Sequence, residues 1–222
     1  MTTRIRIAEG GDADLATPEP GIRGPGLVIC HEWYGLVDNV RTICDRFAAE
    51  GFVTLAPDLY RGEVAHTDEE AAKLMEGLST RRAMEDVFAA VRTLRASPQV
   101  QGEIGVLGFC MGGAMAFSAA VAVDGIACAV PFYGIPIAAY WEPTKVRVPV
   151  QAHFAKNDGW ADPARAAQFQ KDVSAAGGSM ELHIYDAGHA FMREGDDATY
   201  HAPSAELAWE RTLEFLRKHL SA

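Results

Sequence analysis

Residues 105–113 read Gly-Val-Leu-Gly-Phe-Cys-Met-Gly-Gly, and the stretch from Gly108 to Gly113 restricts the fold more than any other part of the chain. The run 104–107 before it is short, apolar and partly β-branched, which suits a buried strand. Ala114, Met115, Phe117, Ala120 and Val121 after it give an apolar helix. A strand that turns at Gly-x-Cys-x-Gly straight into a helix has the layout of a nucleophile elbow, a strained turn that lifts one side chain above a sheet. Here that side chain is the thiol of Cys110, where most such turns carry a serine hydroxyl. A side chain at Gly108 or Gly112 would collide with the nucleophile or hold the helix away from the strand. The bland alternative is a buried free cysteine beside an ordinary glycine-rich turn, since free cysteine is among the most buried residue types.

The rest of the chain alternates strand-like and helix-like patterns. Strands are expected at 26–30, 52–56, 104–107, 127–132, 148–154 and 180–185. Helices are expected at 37–50, with Gly51 as its stop, at 80–96, and at 162–176 behind an Asp-Pro start. A last helix at 204–220 would turn Leu207, Trp209, Leu213, Leu216 and Leu220 inward. Thr67-Asp-Glu-Glu70 reads as a capping box opening a short helix. Alternation over 4–8 followed by Glu9-Gly10-Gly11-Asp12 suggests an N-terminal hairpin. Strands alternating with helices predict an α/β fold, a mostly parallel central sheet with helices on both faces. With 222 residues and no repeat, low-complexity tract or linker, one domain over 1–222 is expected.

Charge and cysteine usage exclude several function classes. A net charge of −10 and a pI near 5.1 argue against nucleic acid or an anionic membrane as partner. No apolar stretch approaches the roughly 18 residues that span a bilayer, and the N-terminal residues lack the apolar core of a secretion signal. Cys30, Cys44, Cys110 and Cys128 make no disulfide framework, and no Cys-x-x-Cys or histidine-rich spacing points to a metal. The expectation is a cytoplasmic protein without metal or cofactor, a monomer or small homo-oligomer, in which Cys30, Cys44 and Cys128 are inert packing.

In a parallel sheet the ligand site lies beyond the carboxyl ends of the strands. Cys110, Asp158 and His189 each fall just after an expected strand, as does the segment His31-Glu32-Trp33-Tyr34-Gly35. Singly, His189 reads as a surface-loop histidine and Asp158 as a turn-forming residue before Gly159. Together they give the order nucleophile, acid, histidine found in α/β-hydrolases. A thiol needs a base to become a thiolate, and the base needs an orienting partner. The oxyanion of acyl transfer needs donors, for which the backbone N–H groups of Met111 and Trp33 are best placed. Among the aromatic residues Trp33, Tyr34, Tyr60, Tyr133, Trp160 and Phe191, only Trp33 and Tyr133 are expected to touch a ligand. His31 is expected to support its loop, and His153 and His183 to lie on strands as core or sheet-face residues.

At this point the chain resembles the dienelactone hydrolase family of α/β-hydrolases over about residues 5–220. The resemblance rests on His-Glu-Trp-Tyr-Gly (31–35), Ala-Pro-Asp-Leu-Tyr (56–60), Gly-Phe-Cys-Met-Gly-Gly (108–113), Phe-Tyr-Gly (132–134), Asn-Asp (157–158) and Gly-His-Ala-Phe (188–191). It implies Cys110 as nucleophile, His189 as base and then acid, Asp158 as orienter, and Glu32 as a switch that contacts the resting thiol and helps deprotonate it. A buried carboxylate beside a neutral thiol disfavours the thiolate and so protects it from oxidation. Arg193 matches the arginine with which the family holds a substrate carboxylate. The segment that carries the family's second such arginine is here short and acidic, residues 61–73, with Arg61 or Arg81 as the candidate substitute. The resemblance therefore implies hydrolysis of a small-molecule lactone or ester through an acyl-enzyme. The altered segment leaves room for neutral esters or other lactones on the same fold. A reading from another class, a non-catalytic thiol redox sensor or ligand binder, would have no use for Asp158.

Overall fold

The computed structural model describes residues 2–7 and 11–221. Its elements run β1 (Thr3–Arg6), β2 (Asp12–Ala16), β3 (Gly24–Cys30), α1 (Asp38–Ala49), β4 (Val53–Pro57), α2 (Asp68–Gly77), α3 (Thr80–Ala96), β5 (Val100–Phe109), α4 (Met111–Ala122), β6 (Cys128–Phe132), β7 (Val150–Asn157), α5 (Pro163–Ala175), β8 (Met180–Gly188) and α6 (Ala202–Leu220). The eight strands form one sheet in the order β1-β2-β4-β3-β5-β6-β7-β8. β1 and β2 pair antiparallel, β2 lies antiparallel to β4, and every pairing from β4 to β8 is parallel. This is the mostly parallel sheet that the strand and helix alternation predicts.

The central strands are apolar without alternation because both of their faces are covered. Every residue of β4 and of β6 is buried. Along β3, Leu27 and Ile29 enter the core formed with α1 and α6, while Val28 and Cys30 enter the core formed with α3 and α4. α5 joins the face of α4, with Phe117 and Phe169 in edge contact at 6.0 Å.

Several elements differ in extent from the sequence reading. β5 begins at Val100, ahead of the apolar run, because its half-exposed first residues are recruited by pairing of Gly24 with Val100. β8 runs on to Gly188, carrying the chain up to His189. On α6 the buried residues are Ser204, Ala205, Ala208, Thr212, Leu213, Phe215, Leu216 and Leu220. Leu207, expected to face inward, sits about 100° around the helix from Ala208 and is exposed. The N-terminal hairpin has Thr3 opposite Leu15 and Arg6 opposite Asp12, and its turn residues Glu9 and Gly10 lie outside the described residues.

α2 is the least anchored helix. It buries one residue, Ala71. Its start is capped by the Thr67 hydroxyl, which accepts from the Glu70 N–H at 3.2 Å, and Glu70 in turn accepts from the His66 N–H at 2.8 Å. The reciprocal bond reaches one residue further back than in a standard capping box. Tyr34 ties this helix to the body: its carbonyl accepts from the Ala65 N–H at 2.9 Å, and its hydroxyl donates to Asp68.

Candidate active site

The carboxyl ends of β3, β5, β7 and β8 converge on one edge of the sheet, and each delivers a residue singled out above. Cys110 follows β5 with φ 54° and ψ −114°, a left-handed conformation that non-glycine residues seldom adopt. It is held there by its N–H, which donates to the Phe132 carbonyl at 3.0 Å, and by its carbonyl, which accepts from Ala114 N–H at 3.1 Å. The flanking glycines serve close packing of backbone. A Cβ at Gly108 would lie 2.1 Å from the Gly112 carbonyl oxygen, and one at Gly112 would lie 2.2 Å from that of Cys30. Of the two reasons anticipated, the approach of α4 to the strands is the operative one.

Burial, and next the charge of Glu32, push the Cys110 thiol up to about 12, although the Met111 N–H bonded to the sulfur pulls the other way. Cys30, Cys44 and Cys128 are likewise pushed up to about 12, by burial.

Asp158 follows β7 and His189 follows β8, and His189 Nδ1 lies 2.8 Å from Asp158 Oδ2. The other oxygen, Oδ1, accepts from the N–H groups of Trp160 at 2.8 Å and Ala161 at 2.9 Å. Asp158 is therefore both the turn-former and the histidine's partner. Burial pushes its carboxyl upward, but His189 and the two amides together hold it below the ordinary carboxylate value. The Tyr133 ring stands against that of His189 at 5.1 Å and 62°.

Glu32 forms an ion pair with Arg193, Nε to Oε2 at 2.7 Å, with the two side chains 10% and 14% exposed. Its Oε1 is buried and unpartnered among the described residues. Burial would lower the Arg193 guanidinium, yet Glu32 raises it above its usual range. Arg193 also reaches Asp196 at 3.3 Å, and its guanidinium lies 4.8 Å from the centre of the Tyr34 ring. His31 fixes the loop beneath: Nδ1 lies 2.6 Å from the Glu32 carbonyl, and Nε2 accepts from the Leu59 N–H at 3.2 Å.

Cys110 and His189 open together on a cavity of about 290 Å³, whose walls include Trp33, Tyr34 and Trp160. Arg193 and Asp196 come to it from the segment after β8, and Asp68 and Met75 from α2. Two expected substrate contacts fall elsewhere. Tyr133 is buried behind the cavity, at φ 34°, with its N–H donating to the His153 carbonyl at 2.7 Å. Its hydroxyl faces Glu32. Arg61 is claimed by the buried Asp86 of α3 at 2.6 Å and by the Asp58 carbonyl at 3.0 Å, and it lines a separate hollow with Ser79 and Arg82. Trp33 lies on the cavity as expected. Tyr34 and Trp160, not expected to touch ligand, lie there too, and Trp160 stands edge-on to Trp33 at 5.6 Å. Asp68, Met75 and Asp196 had no sequence signal, since each sits among ordinary surface residues. Among the described residues, no group of three His, Cys, Asp or Glu side chains is arranged to hold a metal ion.

Comparison with known proteins gives the family and the fold. A model of the dienelactone hydrolase family matches residues 12–220. Protein usf of Aquifex pyrophilus is 34% identical over 219 residues, covering 93% of each chain. A carboxymethylenebutenolidase of Pseudomonas is 33% identical over 225 residues, covering 95% of this chain and 92% of its own. Among solved structures, a dienelactone hydrolase-like promiscuous phosphotriesterase from metagenomic libraries superposes with a TM-score of 0.85 at 17% identity, over 100% of this chain and 99% of that one. At that identity the likeness shows the fold.

Proposed function

The chain belongs to the dienelactone hydrolase family and is a hydrolase of that family, and we propose that it opens esters or lactones through a thioester on Cys110. The observation that carries this reading is the 2.8 Å contact between His189 Nδ1 and Asp158 Oδ2 beside a cysteine held at φ 54°, with Cys110 and His189 facing one cavity. With Nδ1 committed to Asp158, Nε2 is the nitrogen that exchanges protons with the reacting groups.

In the resting enzyme the thiol is neutral, since burial and the Glu32 charge both disfavour the thiolate. His189 Nε2 takes the thiol proton, and the sulfur attacks the substrate carbonyl. The resulting oxyanion is met by the backbone N–H groups of Met111, at the start of α4, and Trp33. Collapse breaks the acyl carbon–oxygen bond, and His189 returns a proton to the departing alkoxide. Water, deprotonated by His189, then attacks the thioester, freeing the acid and restoring the thiol. Glu32 acts as the charge that governs when the thiol ionises, and Arg193 holds Glu32 in place.

The relative named carboxymethylenebutenolidase makes lactones the first substrates to try. The test is intact-mass analysis of enzyme quenched during turnover of aryl esters and lactones. An acyl adduct on Cys110, absent in Cys110→Ala together with turnover, is expected. Full turnover by Cys110→Ala would sink the proposal.

A further inference from the structure

We propose that α2 is a movable wall of the Cys110 cavity, latched shut by the Tyr34 hydroxyl on Asp68, and that Tyr34 thereby sets the size of acyl group the cavity admits. The motion belongs to the fold alone; its consequence for substrates rests on the reading of Cys110 as the acyl acceptor. The helix is tied firmly within itself and loosely to the body. Thr67 caps it, Glu70 reaches back to the His66 N–H, and Lys73 pairs with Glu69 at 2.7 Å. Against the body it buries Ala71 and half-buries Leu74. A helix held in this way opens as a unit at low cost.

Both ends of α2 suit a hinge. The chain is fixed up to Ala65, which is buried and whose N–H donates to the Tyr34 carbonyl at 2.9 Å. Glu63 packs so closely there that a Cβ on Gly35 would lie 2.8 Å from its carbonyl oxygen. Movement therefore starts at 66–67 and ends at Gly77, the last residue of the helix, where even an added Cβ would meet open space. There is also room to move. Asp68 and Met75 face the cavity that holds Cys110, while Lys73, Leu74 and Gly77 face a second hollow of about 400 Å³, with Leu59, Arg61 and Arg82 across from them. The helix stands between two cavities and enlarges the first by shifting into the second. Tyr34 is the fixed post: its ring lies 4.8 Å from the Arg193 guanidinium, its carbonyl holds Ala65, and its hydroxyl reaches Asp68 in the first turn of α2. Cutting that last bond frees the helix and leaves the post in place.

The experiment compares the unmodified protein with Tyr34→Phe, Asp68→Asn and the double variant, substitutions that keep the ring and the side-chain volume. Hydrogen exchange read by mass spectrometry follows the amides of α2, with those of α3 as the internal reference. The width of the cavity is read from the rates at which Cys110 reacts with N-ethylmaleimide and with the bulkier N-(1-pyrenyl)maleimide, both uncharged, each divided by its rate with a cysteine peptide. In Tyr34→Phe the exchange of α2 and the bulky-to-small ratio are each expected to rise about fivefold or more, with α3 unchanged. Asp68→Asn should move both the same way, and the double variant should add little to Tyr34→Phe. Exchange or a labelling ratio that stays put in Tyr34→Phe, full additivity in the double variant, or exchange that rises equally in α3 would each overturn the proposal. Turnover of 4-nitrophenyl esters with short and long acyl chains is the separate check on catalysis, and Tyr34→Phe should raise kcat/KM for long chains relative to short ones. The expected exchange and labelling without ester turnover would remove the proposed reaction and leave the movable wall standing.

Discussion

A thiol pushed up to about 12 is a nucleophile kept out of action until substrate arrives, and that state has a measurable rate. At pH 7 such a group is thiolate to about one part in 10⁵, against roughly 3% for an ordinary thiol near 8.5. The rare thiolate is the more nucleophilic one, and a Brønsted slope of about 0.45 over 3.5 pH units returns a factor of roughly 40. The net expectation is that Cys110 reacts with an uncharged disulfide such as 2,2′-dithiodipyridine about 10²-fold more slowly than a cysteine in an unstructured peptide at pH 7. Steric shielding would also slow it, but by the same factor at every pH. The pH profile separates the two: the logarithm of the rate should climb about one unit per pH unit through pH 10 without a plateau. Glu32→Gln removes the second cause of the shift and should speed the reaction several-fold at pH 7. Reaction as fast as the free thiol at neutral pH, or a plateau below about pH 9, would refute the reasoning. Either would mean that the sulfur is already ionised in the resting protein.

Two further outcomes test the surroundings of the site. Arg193→Gln leaves the buried Glu32 carboxylate without its counter-ion and should cost about 3 kcal/mol, roughly 6–12 °C in Tm. Adding Glu32→Gln should restore most of that stability, so additive losses in a urea double-mutant cycle would contradict the pairing. Burial lowers His31 and, further, His153 below the ordinary histidine value. The unfolded chain therefore takes up protons first. This contribution to stability is complete above about pH 6.5 and is lost below it, at up to about 1.4 kcal/mol per pH unit for each histidine. Urea midpoints at pH 7.5, 6 and 5 should fall accordingly, and His153→Gln should flatten the dependence; an unchanged slope would count against it.

Much of the framework is legible in the sequence because it depends on local rules. The parallel strands announce themselves as uninterrupted apolar runs, and α3 begins and ends where its 3.6-residue pattern does. Cys110, Asp158 and His189 are legible because strand ends are legible, and a parallel sheet brings those ends together. What pairing decides is not visible in this way. The first residues of β5 are too polar to look like a strand until Gly24 lies beside Val100. Arg61 and Arg193 look alike as surface arginines in sequence. Their fates differ because Asp86 comes from a helix twenty-five residues on and Glu32 from a loop at the far end of the chain. Tyr133 shows the same limit: its motif, Phe-Tyr-Gly, serves to seat the chain behind the cavity rather than to line it.

The helix α2 places Asp68 and Met75 on the cavity while contributing one buried residue to the protein. The part of the wall that meets the ligand is thus nearly independent of the part that keeps the chain folded. Mutations along this helix can sample new pocket chemistries at little cost in stability, since exposed positions usually change it by no more than about 0.5 kcal/mol. The elbow allows no such drift, because the carbonyls around Gly108 and Gly112 leave no space for even a methyl group. Divergence among descendants of this chain should therefore gather in the segment from Arg61 to Gly77, giving a lineage in which the reaction is inherited and the substrate is renegotiated.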